Sequence, residues 1–409
     1  MKRLMCEKTR VLLVVGLVVF SLGVLTPILP IYLAARQMGA QTIGLLFSTQ
    51  MVALALGEMT WGGIIDGLGP KVVMITGSFL AAMLMLIFPY VGSTVIFMVL
   101  FFLLGVSRAA IFVTGRWYLA VHSQASKRTR SMALFAVIFS GTTGVASIAG
   151  GLMADGWGYP AMFLVAAVSP ILSGLLSLVG IKRLAPEERE KNASGRVRKV
   201  SRRPMSRRAL LKLVGMQGIV VALQFTGISI FRTYIPLMAT DVLGTGATGA
   251  SVFFAIQGFV DVTATIPLAG LADRKGKKRY MMLGLLGSIV AYVGMAFASD
   301  YWMLVVSVFS FSISAALFGP AALALFSESV PRERQATGMG MYGVSEDAGL
   351  IAGAALGGVV WGAWGHQATF LIGSLMAAIG SFLCYRVVHE PDNPDRLLDH
   401  AQGAVRSTP

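Results

Sequence analysis

Twelve runs of about twenty mostly apolar residues follow one another along the 409-residue chain, at residues 11–35, 42–65, 72–90, 95–119, 131–154, 161–181, 211–238, 248–272, 280–298, 301–326, 336–362 and 368–388. A run of that length, coiled as an α-helix, matches the hydrocarbon core of a bilayer. Lipid offers no partner to a bare N–H or C=O group, so such runs fold as helices that satisfy their own backbone. The expected fold class is therefore an all-α membrane protein with twelve transmembrane helices. Only 13% of residues are charged and 56% are hydrophobic, too few charges to clothe a soluble protein of this size. The first run exceeds the apolar stretch of a signal peptide and lacks a small-residue cleavage site, so it reads as a retained span. Cys6 and Cys384 are the only cysteines; no disulfide, metal or cofactor site is expected from them.

The formal charge is +15. In a soluble protein that excess would suggest nucleic acid, but its placement says otherwise. With the N-terminus in the cytoplasm, 31 of the 34 Lys and Arg residues fall on the cytoplasmic side, Arg36 falls outside, and Arg108 and Arg232 fall within helices. That asymmetry follows the positive-inside rule and predicts both termini in the cytoplasm, in the inner membrane, with no nucleic-acid partner.

The polar stretch 187–208 divides the spans six and six. Expected units are a six-helix bundle at 1–186, a cytoplasmic linker at 187–208, a second bundle at 209–390 and a tail at 391–409. The halves repeat at an offset of 207 residues: Asp66 with Asp273, Lys71 with Lys278, Gly77 with Gly284, Gly150 and Gly151 with Gly357 and Gly358, and Trp157, Gly158 and Phe163 with Trp364, Gly365 and Phe370. An even number of helices per half gives both halves the same orientation, so they are related by an axis along the membrane normal.

After the second helix the chain reads Gly62-Gly-Ile-Ile-Asp66-Gly-Leu-Gly69-Pro-Lys71, and after the eighth Ala269-Gly-Leu-Ala-Asp273-Arg274-Lys-Gly276-Lys277-Lys278. Glycine permits a tight turn, and an Asp at a helix end can accept bonds from the free N–H groups that begin a neighbouring helix. Both stretches resemble the loop signature GxxxD(R/K)xG(R/K)(R/K) of the major facilitator superfamily, with Gly67 and Pro70 departing in the first copy and Ala269 in the second. The resemblance implies two pseudo-symmetric bundles around a central cavity. It also implies a gating role for Gly62, Asp66, Gly69, Lys71, Asp273, Arg274, Gly276, Lys277 and Lys278, latching the halves in one state. Gly144 to Gly151 is similar to the drug-antiporter signature GPxxGG, with Ala146 and Ser147 replacing Gly and Pro.

Ionisable residues at mid-depth are costly in lipid, so a pathway, partner or coupling role is their default reading. By helical rise Asp261 lies roughly 18 Å from Asp273 and Glu346 a similar distance from Arg334, while Glu58 lies about 12 Å from Asp66. Gln257, Asp261 and Thr265 share one face of the eighth helix, and Tyr342 and Glu346 one face of the eleventh. Asp347 points about 100° away from Glu346, towards the packing face of Gly349 and Gly353. Asp261, Glu346, Glu58 and Asp347 are the candidate proton-coupling groups. Four acids face only Arg108 and Arg232 as internal cations, which leaves at least two acids without such a partner. Arg108, Arg232, Gln224, Gln257, Phe231, Tyr342 and Ser310 are the candidate cavity residues.

No phosphate loop, HExxH or GxSxG is present, so neither ATP drive nor an enzymatic role is expected. The resemblance implies a monomeric secondary transporter in the bilayer that exports an amphipathic or organic small molecule in exchange for protons. Two alternatives stay open: a proton- or ion-coupled uptake permease whose Arg108 or Arg232 binds an anionic solute, and a lipid or lysolipid translocator.

Overall fold

A computed structural model describes residues 2–122, 128–180, 207–329 and 335–388. Among these lie ten helical segments long and apolar enough to cross a membrane. Two of them, Arg128–Gly180 and Gln335–Val387, break at Gly158 (φ 79°) and Gly365 (φ 83°). A left-handed backbone is cheap only for glycine, and each break turns one helix into two, so the described residues form twelve long helices. They are α1 (Lys2–Ala35), α2 (Ala40–Leu68), α3 (Pro70–Ile87), α4 (Thr94–His122), α5 (128–157), α6 (159–180), α7 (Arg207–Leu237), α8 (Ala247–Lys275), α9 (Lys277–Ala296), α10 (Tyr301–Glu328), α11 (335–364) and α12 (366–387). Most of the 187–208 stretch, Arg332, Arg334 and the 391–409 tail lie outside the described residues.

The repeat is written into the contacts. Lys71 donates from Nζ to the Leu178 carbonyl, and its mate Lys278 donates to the Tyr385 carbonyl at 2.9 Å, both pairs 207 residues apart. Gly69 (φ 86°) and Gly276 (φ 107°) join α2 to α3 and α8 to α9 with no intervening loop. In the first half Ser107 of α4 donates to the Gly77 carbonyl of α3 at 2.8 Å. In the second a Cβ on Gly284 of α9 would come within 2.6 Å of the Ser314 carbonyl of α10.

The halves meet along two seams, α5 with α8 and α2 with α11. A Cβ on Gly151 would lie 2.6 Å from Thr248 Cα, and one on Gly358 2.6 Å from the Ala40 carbonyl. Such approaches need glycine, and small residues are how helices pack closely in lipid. Ser48 donates to the Ile351 carbonyl at 2.8 Å and Ser147 to the Ser251 carbonyl at 3.1 Å. At the end of the α5–α8 seam, Asp155 accepts the backbone N–H groups of Ala247 (2.9 Å) and Thr248 (2.8 Å) at the start of α8.

All these contacts lie between mid-depth and the end opposite the basic loops around Lys71 and residues 274–279. Towards the basic end burial along α8 falls off. Eight residues of α8 are buried between Ala247 and Val260, and none between Asp261 and Leu271. Among the described residues the halves are sealed together at one end and thinly buried, or splayed, at the other.

Candidate functional site

A cavity of about 100 Å³ sits between the halves where the seams begin. Its walls carry the repeat: Thr26 faces it with its mate Thr233, Gln50 with Gln257, and Phe47 with Phe254, each pair 207 residues apart. The cavity thus lies on the axis relating the halves, and the paired polar groups are all uncharged.

Charge breaks that symmetry. Arg232 of α7 lines the cavity where its mate is Leu25, and Arg108 of α4 lines it where the mate is Ala315. The Nε of Arg108 is buried without a hydrogen-bond partner, and its guanidinium rests 5.4 Å from the centre of the Phe112 ring, which also meets Arg116 at 5.6 Å. Among the described residues, neither Arg108 nor Arg232 forms an ion pair within 4 Å.

The acids stand nearer the splayed end. Asp261 accepts a hydrogen bond from Ser140 and feels the charge of Arg232. Glu346 lies within electrostatic reach of Arg232, Arg116, Asp347 and Glu58. Asp347 feels Glu58 and Arg116, while a Cβ on Gly349 would meet the Ala222 carbonyl of α7, so Asp347 sits beside the close-packed face. Glu58 pairs with Arg116 at 3.7 Å, its side chain one third exposed. The sequence count of internal cations omits that partner because Arg116, at the inner end of the fourth run, counts among the cytoplasmic charges.

Of the expected cavity residues, Arg108, Arg232 and Gln257 line it. Gln224, Phe231, Tyr342 and Ser310 do not. Gln224 donates to Ser288 of α9 at 3.0 Å, Phe231 packs on Phe311 with ring centres 4.6 Å apart, and Tyr342 meets Phe326 edge-on at 5.5 Å. Ser310 gives its carbonyl to Ser314 at 2.7 Å. At a spacing of seven, residues 217, 224 and 231 share a face of α7 that looks into its own bundle, where Gln217 and Gln224 donate to Ser329 and Ser288, while Ser229, Arg232 and Thr233 look into the cavity.

At the basic end Gly69 and Gly276 make the turns just described. Asp273 pairs with Lys277 at 3.6 Å, Lys277 reaches Glu328 of α10 at 2.6 Å, and Arg274 is exposed. A Cβ on Gly62 would enter open space, and the Asp66 side chain lies outside the described residues. A carboxylate accepting the first N–H groups of a helix in the other half, the arrangement expected at this end, is found at the other end, in Asp155. Sequence reading missed Asp155, Thr26 and Gln50. The repeat itself could have found the last two, since each is a polar residue inside an apolar run whose mate is identical.

Twelve crossings in two matched bundles around an axial cavity define a membrane transporter. The family model of the Major Facilitator Superfamily matches residues 11–260 and 217–406, and the chain belongs to that superfamily. It is 24% identical over 343 residues to multidrug resistance protein 2 of Bacillus subtilis, covering 83% of this chain and 85% of that one. It is 26% identical over 190 residues to the class E tetracycline resistance protein of Escherichia coli, covering 46% of each. A crystal structure of the nucleoside transporter NupG superposes with a TM-score of 0.75 at 14% identity, covering 93% of this chain and 98% of the other.

Proposed function

We propose that the chain is a monomeric, proton-coupled secondary transporter of the cytoplasmic membrane, with its basic end and both termini in the cytoplasm. It moves an amphipathic organic small molecule outward through the central cavity by alternating access. The halves, residues 1–186 and 209–390, rock about the cavity, and the Gly62–Lys71 and Asp273–Lys278 turns steer the change of state. The observation that carries the reading is the placement of Asp261, Glu346 and Asp347. Asp261 and Glu346 bear on Arg232 of the cavity wall, Asp347 adjoins Glu346, and among the described residues none of the three has an ion-pair partner within 4 Å. A carboxyl group in such a place can take up and release a proton as its surroundings change from wet to dry. Outward direction draws on the drug-resistance names of the relatives.

Proteoliposomes with an imposed proton gradient test this. The gradient should accelerate movement of a fluorescent drug from the side of the basic loops to the other. Acceleration that survives Asp261→Asn combined with Glu346→Gln removes these acids from the coupling. A second reading, uptake of an anionic solute together with protons, draws on the two arginines in the cavity wall. The sign of the pH dependence separates the two: an exchanged proton weakens substrate binding, whereas a co-transported proton strengthens it.

A further inference from the structure

The geometry points to an amphipathic organic anion as the ligand of the central cavity, its carboxylate or sulfonate held between Arg108 of the first half and Arg232 of the second, and its apolar body on the phenylalanine and leucine wall. The inference rests on that cavity being the substrate site and is independent of transport direction.

The argument begins with the cavity's symmetry. Everything polar that the axis duplicates, Thr26 with Thr233 and Gln50 with Gln257, is neutral. The two charged groups in the wall are both cations, and each stands where the repeat mate is aliphatic. No acid is among the lining residues. A fixed structural cation in a membrane interior is expected to carry its counter-ion with it. Here Glu58, the one acid that bears on Arg108, is already paired with Arg116, and Arg108 feels the positive charges of Arg232 and Arg116 as well. Its Nε N–H has no acceptor in the protein. Arg232 feels Asp261 and Glu346, but among the described residues it forms no ion pair within 4 Å, and it lines the cavity.

A guanidinium presents a planar fork of donors that fits a carboxylate, sulfonate or phosphate oxygen pair. Two such forks from opposite halves suit one anionic head and repel a cationic one. Leu22, Leu25, Leu29, Phe254 and Leu350 are among the apolar residues of the wall, which asks for an apolar body behind the head rather than a small inorganic anion. One ligand bridging Arg108 and Arg232 would also tie the halves together, linking occupancy to their relative position.

The test is isothermal titration calorimetry on the full chain in nanodiscs of zwitterionic lipid, at fixed pH and without a gradient. The probes are two sets that share a body and differ in head: 4-phenylbutyrate, 4-phenylbutanol and 4-phenylbutylamine, and the naphthalene carboxylate, alcohol and amine with a two-carbon chain. At least one carboxylate is expected to bind ten times more tightly than its alcohol and its amine. Arg108→Gln and Arg232→Gln should each remove that preference, and Arg108→Lys should keep part of it. Equal binding of the three heads, tighter binding of the amines, no binding of either carboxylate, or a preference that survives both Gln substitutions overturns the inference. The wild-type comparison stands even if a variant fails to fold. Loss of the carboxylate preference with gradient-driven transport intact would remove the anion and leave proton coupling. Carboxylate binding without gradient acceleration would do the reverse.

Discussion

At the sealed end, Gly151 and Gly358 let backbones of opposite halves touch, and Asp155 ties α5 to the first N–H groups of α8. At the basic end, the turns duplicated by the sequence repeat make contacts within their own halves: Lys71 and Lys278 bond to α6 and α12, and Asp273 pairs four residues along its own chain. Among the described residues, the contacts named at one end run between the bundles and those at the other run inside them. The lesson is that similar chemistry, carboxylate to helix start, can act as a tie across the halves at whichever end is closed, so the state captured here decides which tie is visible.

That contrast can be broken most forcefully at the glycine seam. Gly358→Val places atoms where the Ala40 carbonyl lies, so the sealed end cannot close. Gradient-driven transport should fall at least tenfold, and a Thr26→Cys reporter should become open to an impermeant maleimide added from the sealed side. Labelling as slow as in wild type would show the seam to be loose. A smaller effect is expected from Gly69→Ala and Gly276→Ala, which force a side chain into a left-handed turn at a cost of roughly 1–2 kcal/mol each. Thermal unfolding should report similar losses for both, since the turns are repeat mates.

Asp155→Asn weakens one cap at a cost of about 1 kcal/mol, enough to raise the sealed-side-open population about fivefold. Spin-label distances across the α5–α8 seam would show it, and distances equal to wild type would mean that the cap does not hold the seam. The smallest change is predicted for Lys71→Ala and Lys278→Ala. Each loses one exposed hydrogen bond, about 0.5 kcal/mol, and unequal melting shifts would mean that the two halves are not equivalent at this position.

The twelve crossings were legible because apolar length is set by the bilayer, a constraint that acts on each segment by itself. The turns at Gly69 and Gly276 were legible because the repeat showed the same glycine twice. The cavity wall was less so. In a soluble helix one polar face means water, but here a polar side chain can face the central cavity or a neighbour in its own bundle. Gln224 and Gln257 read alike in the sequence, although one bonds Ser288 and the other lines the cavity. Periodicity fixes which residues share a face and leaves open what that face meets. Asp155 was missed for another reason: beside Gly156 and Gly158 it looks like a loop residue, and its partners come from the far half of the chain.

The single-residue breaks at Gly158 and Gly365 bear on how the protein is seen from outside the membrane. With α5 passing into α6 and α11 into α12 through one glycine each, the remaining connections at that end are 36–39, 91–93, 243–246 and 297–300, the third preceded by the π-helical turn Met238–Val242. An antibody or a protease approaching from that side would find almost no chain standing clear of the lipid headgroups.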